Sequence, residues 1–202
     1  MKKKRVIKKN KGNFLLNNYR KSWQYIKESK RFIWAVTALF FFSAIIGFLF
    51  QPPSIITLIS GYINDVLAKT QGMSSLNLIL FIFFNNMKVG FMGLLYGFLL
   101  GIFPILSIFV NGYVVGYVSS YAISSTGVIS LLNLLPHGIF ELPAIFISLG
   151  MGVKFGTFLF YKEKMKKFNE FFINSMRVFV FVVLPLLVVA AIIEGILIYF
   201  LK

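Results

Sequence analysis

The single histidine of the chain, His137, stands four residues before a carboxylate, Glu141, inside a strongly apolar stretch. On a helix, positions i and i+4 lie one above the other on the same face. An imidazole and a carboxylate placed in this way could relay a proton, provide half of a metal site, or act as an acid/base pair. A zinc peptidase of the usual type needs two histidines at i and i+4 with a glutamate beside the first, and this chain has one histidine. A serine nucleophile would call for a strained glycine–serine elbow, which is not visible. The absence of cysteine excludes disulfides, thiolate catalysis and zinc–cysteine sites. A structural role is the remaining option, in which the pair joins Asn111 or Asn133 in a buried hydrogen-bond network that locks helices together. No catalytic, metal-binding or cofactor-binding residue is assigned, and the chain reads as non-enzymatic.

Further polar groups lie next to or within apolar runs: Asn85, Asn86, Asn111 and Glu194. With His137 and Glu141 they form the candidate intramembrane polar network. The asparagines either cap helix ends at a break or bridge neighbouring spans. Glu194 either pairs with Lys88 or His137, or reaches toward headgroups. An ionisable residue inside a membrane segment is expensive and marks function by default. Pro136 suits the first turn of a helix, where its missing N–H has no partner to lose. Pro143, inside the same run, removes one backbone hydrogen bond and is expected to kink the helix, as are Pro104 and Pro185 in theirs.

These residues must be positioned by membrane-spanning helices. The chain has 202 residues, is 58% hydrophobic, and has a mean hydropathy of +0.82. A soluble domain is about 45–50% apolar. Several uninterrupted apolar runs make a polytopic, all-α transmembrane bundle the expected fold class. The net charge of +15 is not a nucleic-acid signature, because of where it sits. Twelve of the 21 Lys and Arg fall in residues 1–31, and six more are Lys154, Lys162, Lys164, Lys166, Lys167 and Arg177. Two basic blocks flanking apolar spans follow the positive-inside rule, and no base-stacking or groove-reading module accompanies them. They suit a bilayer with anionic headgroups, worth about 1 kcal/mol per basic residue near the surface.

In chain order, residues 1–31 form a basic segment, disordered through its first lysines. From Phe14 to Arg31 it continues as an amphipathic helix that lies on the membrane or leads into the first span. The rest, 32–202, is one transmembrane domain with about five spans, near 32–50, 89–110, 113–130, 136–160 and 178–201. Residues 54–75 read as an interfacial helix on the far side. Leu76 to Phe84, nine residues, is too short to cross about 30 Å of hydrocarbon. It is either a half-buried segment or the early turns of span two. Asn111-Gly112 reads as the turn between spans two and three. Glycines recur at four-residue spacing: Gly93, Gly97 and Gly101, then Gly112 and Gly116, then Gly152 and Gly156. Such stripes let helix backbones approach closely, which drives association in lipid. By parity, residues 1–31 and 162–177 share the cytoplasmic side and the C-terminus lies outside, in a multi-pass protein of the cell membrane.

Several of these residues fall in one pattern: Asn85-Asn86, Gly97 and Gly101, Asn111-Gly112 and Gly116, then Pro136-His137-Gly138 with Glu141. With this pattern the chain resembles the stage II sporulation protein M family of integral membrane proteins, over roughly residues 32 to 200. In endospore formers the family member acts with peptidoglycan-degrading partners during engulfment, and relatives occur in bacteria and archaea that never sporulate. The resemblance implies a dimeric scaffold for envelope or membrane-remodelling partners. The alternative is a small transporter, channel or permease subunit built around the His–Glu pair.

Overall fold

The computed structural model describes residues 14–129 and 135–200, with the backbone alone at 126, 135–137 and 195–200. Among the described residues eight α-helices follow one another: α1 (Phe14–Glu28), α2 (Lys30–Leu49), α3 (Pro53–Thr70), α4 (Ser75–Leu95), α5 (Ile102–Thr126), α6 (Leu135–Gly156), α7 (Lys164–Val178) and α8 (Leu184–Phe200). A 3-10 turn, Tyr96–Phe98, extends α4, and another, Thr157–Phe160, extends α6. A π-helical segment, Phe179–Val183, joins α7 to α8 without a break. No strand occurs among the described residues. Five segments are long and apolar enough to cross a membrane: Lys30–Leu49, Ser75–Phe98, Ile102–Ser125, Gly138–Phe160 and Lys164–Glu194. The protein is an all-α, multi-pass membrane bundle.

Contacts between the helices fix their directions. Along α4 and α6 the facing residues rise together, Gly90 with Ser148, Gly97 with Gly152 and Gly101 with Gly156, so these two helices are parallel. Gly112 faces Phe40 and Ser43, and Gly116 faces Ala44, so α2 and α5 are parallel as well. Gly150 lies on Ile33 while Phe146 meets Phe40 edge-to-face, which makes α2 antiparallel to α6. Phe179, midway along the last span, meets Phe91, and this span runs against α4. Directions therefore alternate through the five spans. At the centre, α6 touches α2, α4, α5, α7 and α8. Its Ala144, Leu149, Met151 and Phe155 are fully enclosed. A helix enclosed in this way is apolar over most of its surface.

Several helix bounds differ from those expected. Leu76 to Phe84 is the first half of α4, whose start is capped by Ser74 Oγ accepting from the Asn77 N–H. Span two is thus Ser75–Phe98 rather than 89–110, and span three begins at Ile102 rather than 113. Asn111-Gly112 is not a turn. It lies in the middle of α5, where the Asn111 amide donates to the Ser107 carbonyl at 2.8 Å and so satisfies itself within the helix. The reversal falls instead at Leu99-Leu100-Gly101, where Leu100 (φ 55°) and Gly101 (φ 70°) are both left-handed. Pro104 consequently occupies the first turn of α5, where its missing N–H costs nothing and it introduces no mid-span kink. Pro143 does lie inside α6. Pro185 stands two residues after the π segment, at the second residue of α8. The basic stretch 162–177 is largely helical, as α7, and α1 packs along it. The lysine-rich start, residues 1–13, lies outside the described residues.

The interfacial helix expected over 54–75 is α3. It rests on the second half of α5 where α2 has ended, with Ile59 packed on Tyr113 and Tyr117. Ser60 Oγ and the Tyr117 hydroxyl are hydrogen-bonded at 3.3 Å. Tyr113 donates its hydroxyl proton to the Phe50 carbonyl at 2.6 Å, satisfying a carbonyl left free at the end of α2.

Candidate functional site

Three spans bring polar side chains together toward the end of the bundle away from α1 and α7. Asn86 sits midway along α4, Glu141 in the second turn of α6, and Glu194 in α8. The Glu141 carboxyl neighbours the Asn86 side chain and stands within electrostatic reach of Glu194. The side chain of His137 and the whole of Asn133 lie outside the described residues. The other two asparagines stand apart from this cluster. Asn85 is exposed on α4, one residue round the helix from Asn86, and Asn111 is exposed on α5 and bonded to its own helix. Lys88 is exposed too. Among the described residues no group of three or more His, Asp or Glu side chains gathers as a metal site would require. The donor set here, two carboxyls and one amide, suits hydrogen bonding and proton exchange.

Below the cluster the α4–α6 seam closes by direct backbone approach. Ser148 Oγ, fully buried, donates to the Gly90 carbonyl at 2.8 Å. A Cβ on Gly93 would overlap Leu149, and one on Gly97 would overlap the carbonyl of Gly152. On Gly156 it would meet the Gly101 nitrogen. Gly112 and Gly116 are closed in the same way against α2, through the carbonyls of Phe40 and Ala44.

A second polar centre, which the sequence reading missed, lies at the α1/α7 end. Lys154 of α6 is 8% exposed. Its Nζ donates to Ser29 Oγ at 2.8 Å and lies 3.7 Å from the centre of the Tyr25 ring, with the Phe171 ring at 5.4 Å. Ser29 Oγ in turn donates to the Tyr25 carbonyl at 2.7 Å. Ser29 is the single residue between α1 and α2, so the lysine is fastened to the elbow itself. A cation over aromatic faces in a desolvated site gains about 2 kcal/mol. Beside it, burial pushes the Tyr25 hydroxyl above its usual range. Tyr25 Oη and Ser175 Oγ are neighbours that do not reach hydrogen-bonding geometry, and Ser22 Oγ is buried without a partner as well. The signal in the sequence was available: Lys154 is the only charge between Glu141 and Lys162, in a run flanked by Gly152 and Gly156. Grouping it with the loop lysines hid that.

The comparison with known families bears on this arrangement of glycines and polar residues. A family model described as stage II sporulation protein M matches residues 36–197, which contain all five spans except the first residues of α2, and the Asn86–Glu141–Glu194 cluster. The chain belongs to the stage II sporulation protein M family. It is also similar to an uncharacterized protein of Methanocaldococcus jannaschii, 34% identical over 131 residues. That match covers 62% of this chain and 58% of the archaeal protein, so the chain spans little more than half of its relative's length. No solved structure matches the chain. Within the family match fall Asn86, Glu141, Lys154 and Glu194, whereas Tyr25 and Ser29 precede it.

Proposed function

We propose that this stage II sporulation protein M family member is a non-enzymatic scaffold of the cell membrane that organises envelope or membrane-remodelling partners. The observation that supports this reading is the closure of the α4–α6 seam beneath the polar cluster. Where Gly97 meets Gly152 there is no room for a methyl group, and a passage for solute along that seam would need far more. The exposed positions of Asn85 and Asn111 also leave the polar residues without a common lumen. In this reading the chain is a homodimer, its N-terminal segment and α7 face the cytoplasm and anionic headgroups, and its C-terminus is outside. The test is reconstitution of the purified protein into liposomes. A scaffold gives proton and solute fluxes equal to those of empty liposomes. Flux that rises with the protein-to-lipid ratio would overturn it.

A second reading, a small transporter or permease subunit, draws support from the meeting of Glu141, Asn86 and Glu194 inside the bundle. The same liposomes decide between the two.

A further inference from the structure

Arg177, near the end of α7, is half-buried and pairs with no carboxylate among the described residues, where both salt bridges belong to lysines. Two carboxamides orient its guanidinium instead. Nε donates to Asn18 Oδ1 at 3.1 Å, across the seam on α1. Nη1 donates to Asn174 Oδ1, one turn back on α7. Each asparagine is fixed in turn by its own helix. The Asn18 amide donates to the Phe14 carbonyl and the Asn174 amide to the Glu170 carbonyl, both at 2.9 Å. With the two NH2 groups anchored in this way, the two Oδ1 atoms are left pointing at the arginine.

This arrangement aims the cation without neutralising it. A guanidinium carries five N–H donors in a fixed plane. The asparagines use one at Nε and one at Nη1. The donors that remain, on Nη1 and Nη2, form the planar edge that matches two oxygens of a phosphate. The position along the chain points to the same ligand. Arg177 is the last charged residue of its span before Glu194. Residues 178–201 carry that one charge, and at helical rise they are long enough to cross about 30 Å of hydrocarbon. Arg177 therefore stands where the span passes from headgroups to acyl chains. Around it on the surface lie the exposed side chains of Ile173 and Val180, one turn to either side, and of Phe14 from α1. A free anion in water has no use for such neighbours, whereas a phosphate with acyl chains attached does.

We propose that Arg177, oriented by Asn18 and Asn174, is a binding site for the phosphate of an anionic phospholipid at the α1–α7 seam. The inference rests on the placement of α1 and α7 at anionic headgroups and names the residue that takes one. General attraction to a charged surface needs only positive charge, whereas this site needs the fork. Since one of its two acceptors belongs to α1, a lipid bound here also holds α1 against α7.

The test uses the full-length protein, purified and delipidated in detergent, then mixed with equal amounts of phosphatidylglycerol and phosphatidylcholine. Native mass spectrometry counts the adducts. The wild type should retain phosphatidylglycerol over phosphatidylcholine by about tenfold, as charge-assisted bonds at one site allow. Arg177→Gln should abolish the preference. Arg177→Lys, which keeps the charge and loses the planar fork, should remove most of it. Lys164→Gln removes the same charge from an exposed position on the same helix and should leave the preference intact. A large excess of inorganic phosphate should not displace the lipid. The proposal is overturned if the wild type shows no preference, if both Arg177 variants keep it, or if Lys164→Gln loses it equally. Displacement by inorganic phosphate would likewise overturn it, since the site would then take a free anion. Solute flux in liposomes would sink the scaffold reading and leave these adduct ratios unchanged, so the two can fail separately.

Discussion

The ammonium of Lys154 donates to the hydroxyl of Ser29 at 2.8 Å, tying the central helix α6 to the elbow between α1 and α2. No carboxylate forms an ion pair with it among the described residues, where the two salt bridges are Lys166–Glu163 and Lys167–Glu170. The cation is held by one hydroxyl and two rings. Removing the hydroxyl strands a buried charge, whereas removing the charge leaves an aliphatic stem in an aromatic setting. Ser29→Ala should therefore cost more than Lys154→Met, by about 1–3 kcal/mol for the stranded donor. Unfolding of both variants by SDS in mixed micelles measures the order. A larger loss for Lys154→Met would mean that the lysine's charge stabilises the elbow through something other than Ser29.

The α1–α7 seam next to it should respond to alkali. Burial raises the Tyr25 hydroxyl from an ordinary value of 10.0. Below that value Tyr25 is neutral in folded and unfolded chains alike, and its contribution is complete. Above it the unfolded chain loses the proton first, so stability falls as pH rises. Tyr25→Phe should flatten that fall relative to wild type above about pH 10. In the same seam Ser175→Ala should be neutral or stabilising, because its buried hydroxyl has no partner to lose. Thermal unfolding across pH reads both, and a wild-type slope in Tyr25→Phe refutes the first.

Glycines on this chain should divide sharply by what faces them. A Cβ at Gly97 overlaps the Gly152 carbonyl, and backbone cannot step aside as a side chain would. At Gly61, in α3, nothing lies within 4 Å. Gly97→Ala should lose about 1–3 kcal/mol through overpacking, and Gly61→Ala should gain up to about 1 kcal/mol from helix propensity. Equal melting temperatures for the two variants would mean that α4 and α6 are not in backbone contact in the folded protein.

Topology is testable with single cysteines at Arg5, Met165 and Lys202. The charge distribution predicts that 5 and 165 label from the cytoplasmic face and 202 from the other. Labelling of 5 and 165 from opposite faces would sink the five-span arrangement.

The family and the fold class were legible in the sequence because both rest on features that local context does not change. An apolar run of 20 residues has few options in water, and the family pattern is spread along nearly the whole chain. What the sequence did not carry is where the chain turns and which polar residues meet. Asn111-Gly112 has the composition of a turn, yet in α5 the asparagine bonds the carbonyl four residues back and the helix passes through. The actual turn places a leucine in left-handed backbone, which no propensity rule would choose. Lys154 has the composition of a loop residue and is buried because α1 folds back over it. Of the six residues in the expected polar network, type alone could not separate Asn86, which meets Glu141, from its neighbour Asn85, which faces outward.

Glu141 offers the substitution that separates the two functional readings. Its carboxyl neighbours the Asn86 side chain and lies within electrostatic reach of Glu194 at the α4–α6–α8 junction. A structural role needs hydrogen-bonding capacity and the volume, and Glu141→Gln keeps both. A proton-linked role needs a group that changes protonation during turnover, which an amide cannot do. In a scaffold, therefore, Gln retains stability and cellular function, while Glu141→Ala loses about 1–3 kcal/mol by leaving Asn86 without its partner. In a transporter, Gln folds like wild type and abolishes flux. Asn86→Ala is the complementary probe: combined with Glu141→Ala it should cost less than the sum of the single changes, because the two side chains are neighbours. Stability in detergent, growth of complemented cells and flux in liposomes form the readout. Additive losses in the double variant would show that Glu141 and Asn86 do not act as a pair, and the candidate site would have to be sought at Lys154 instead.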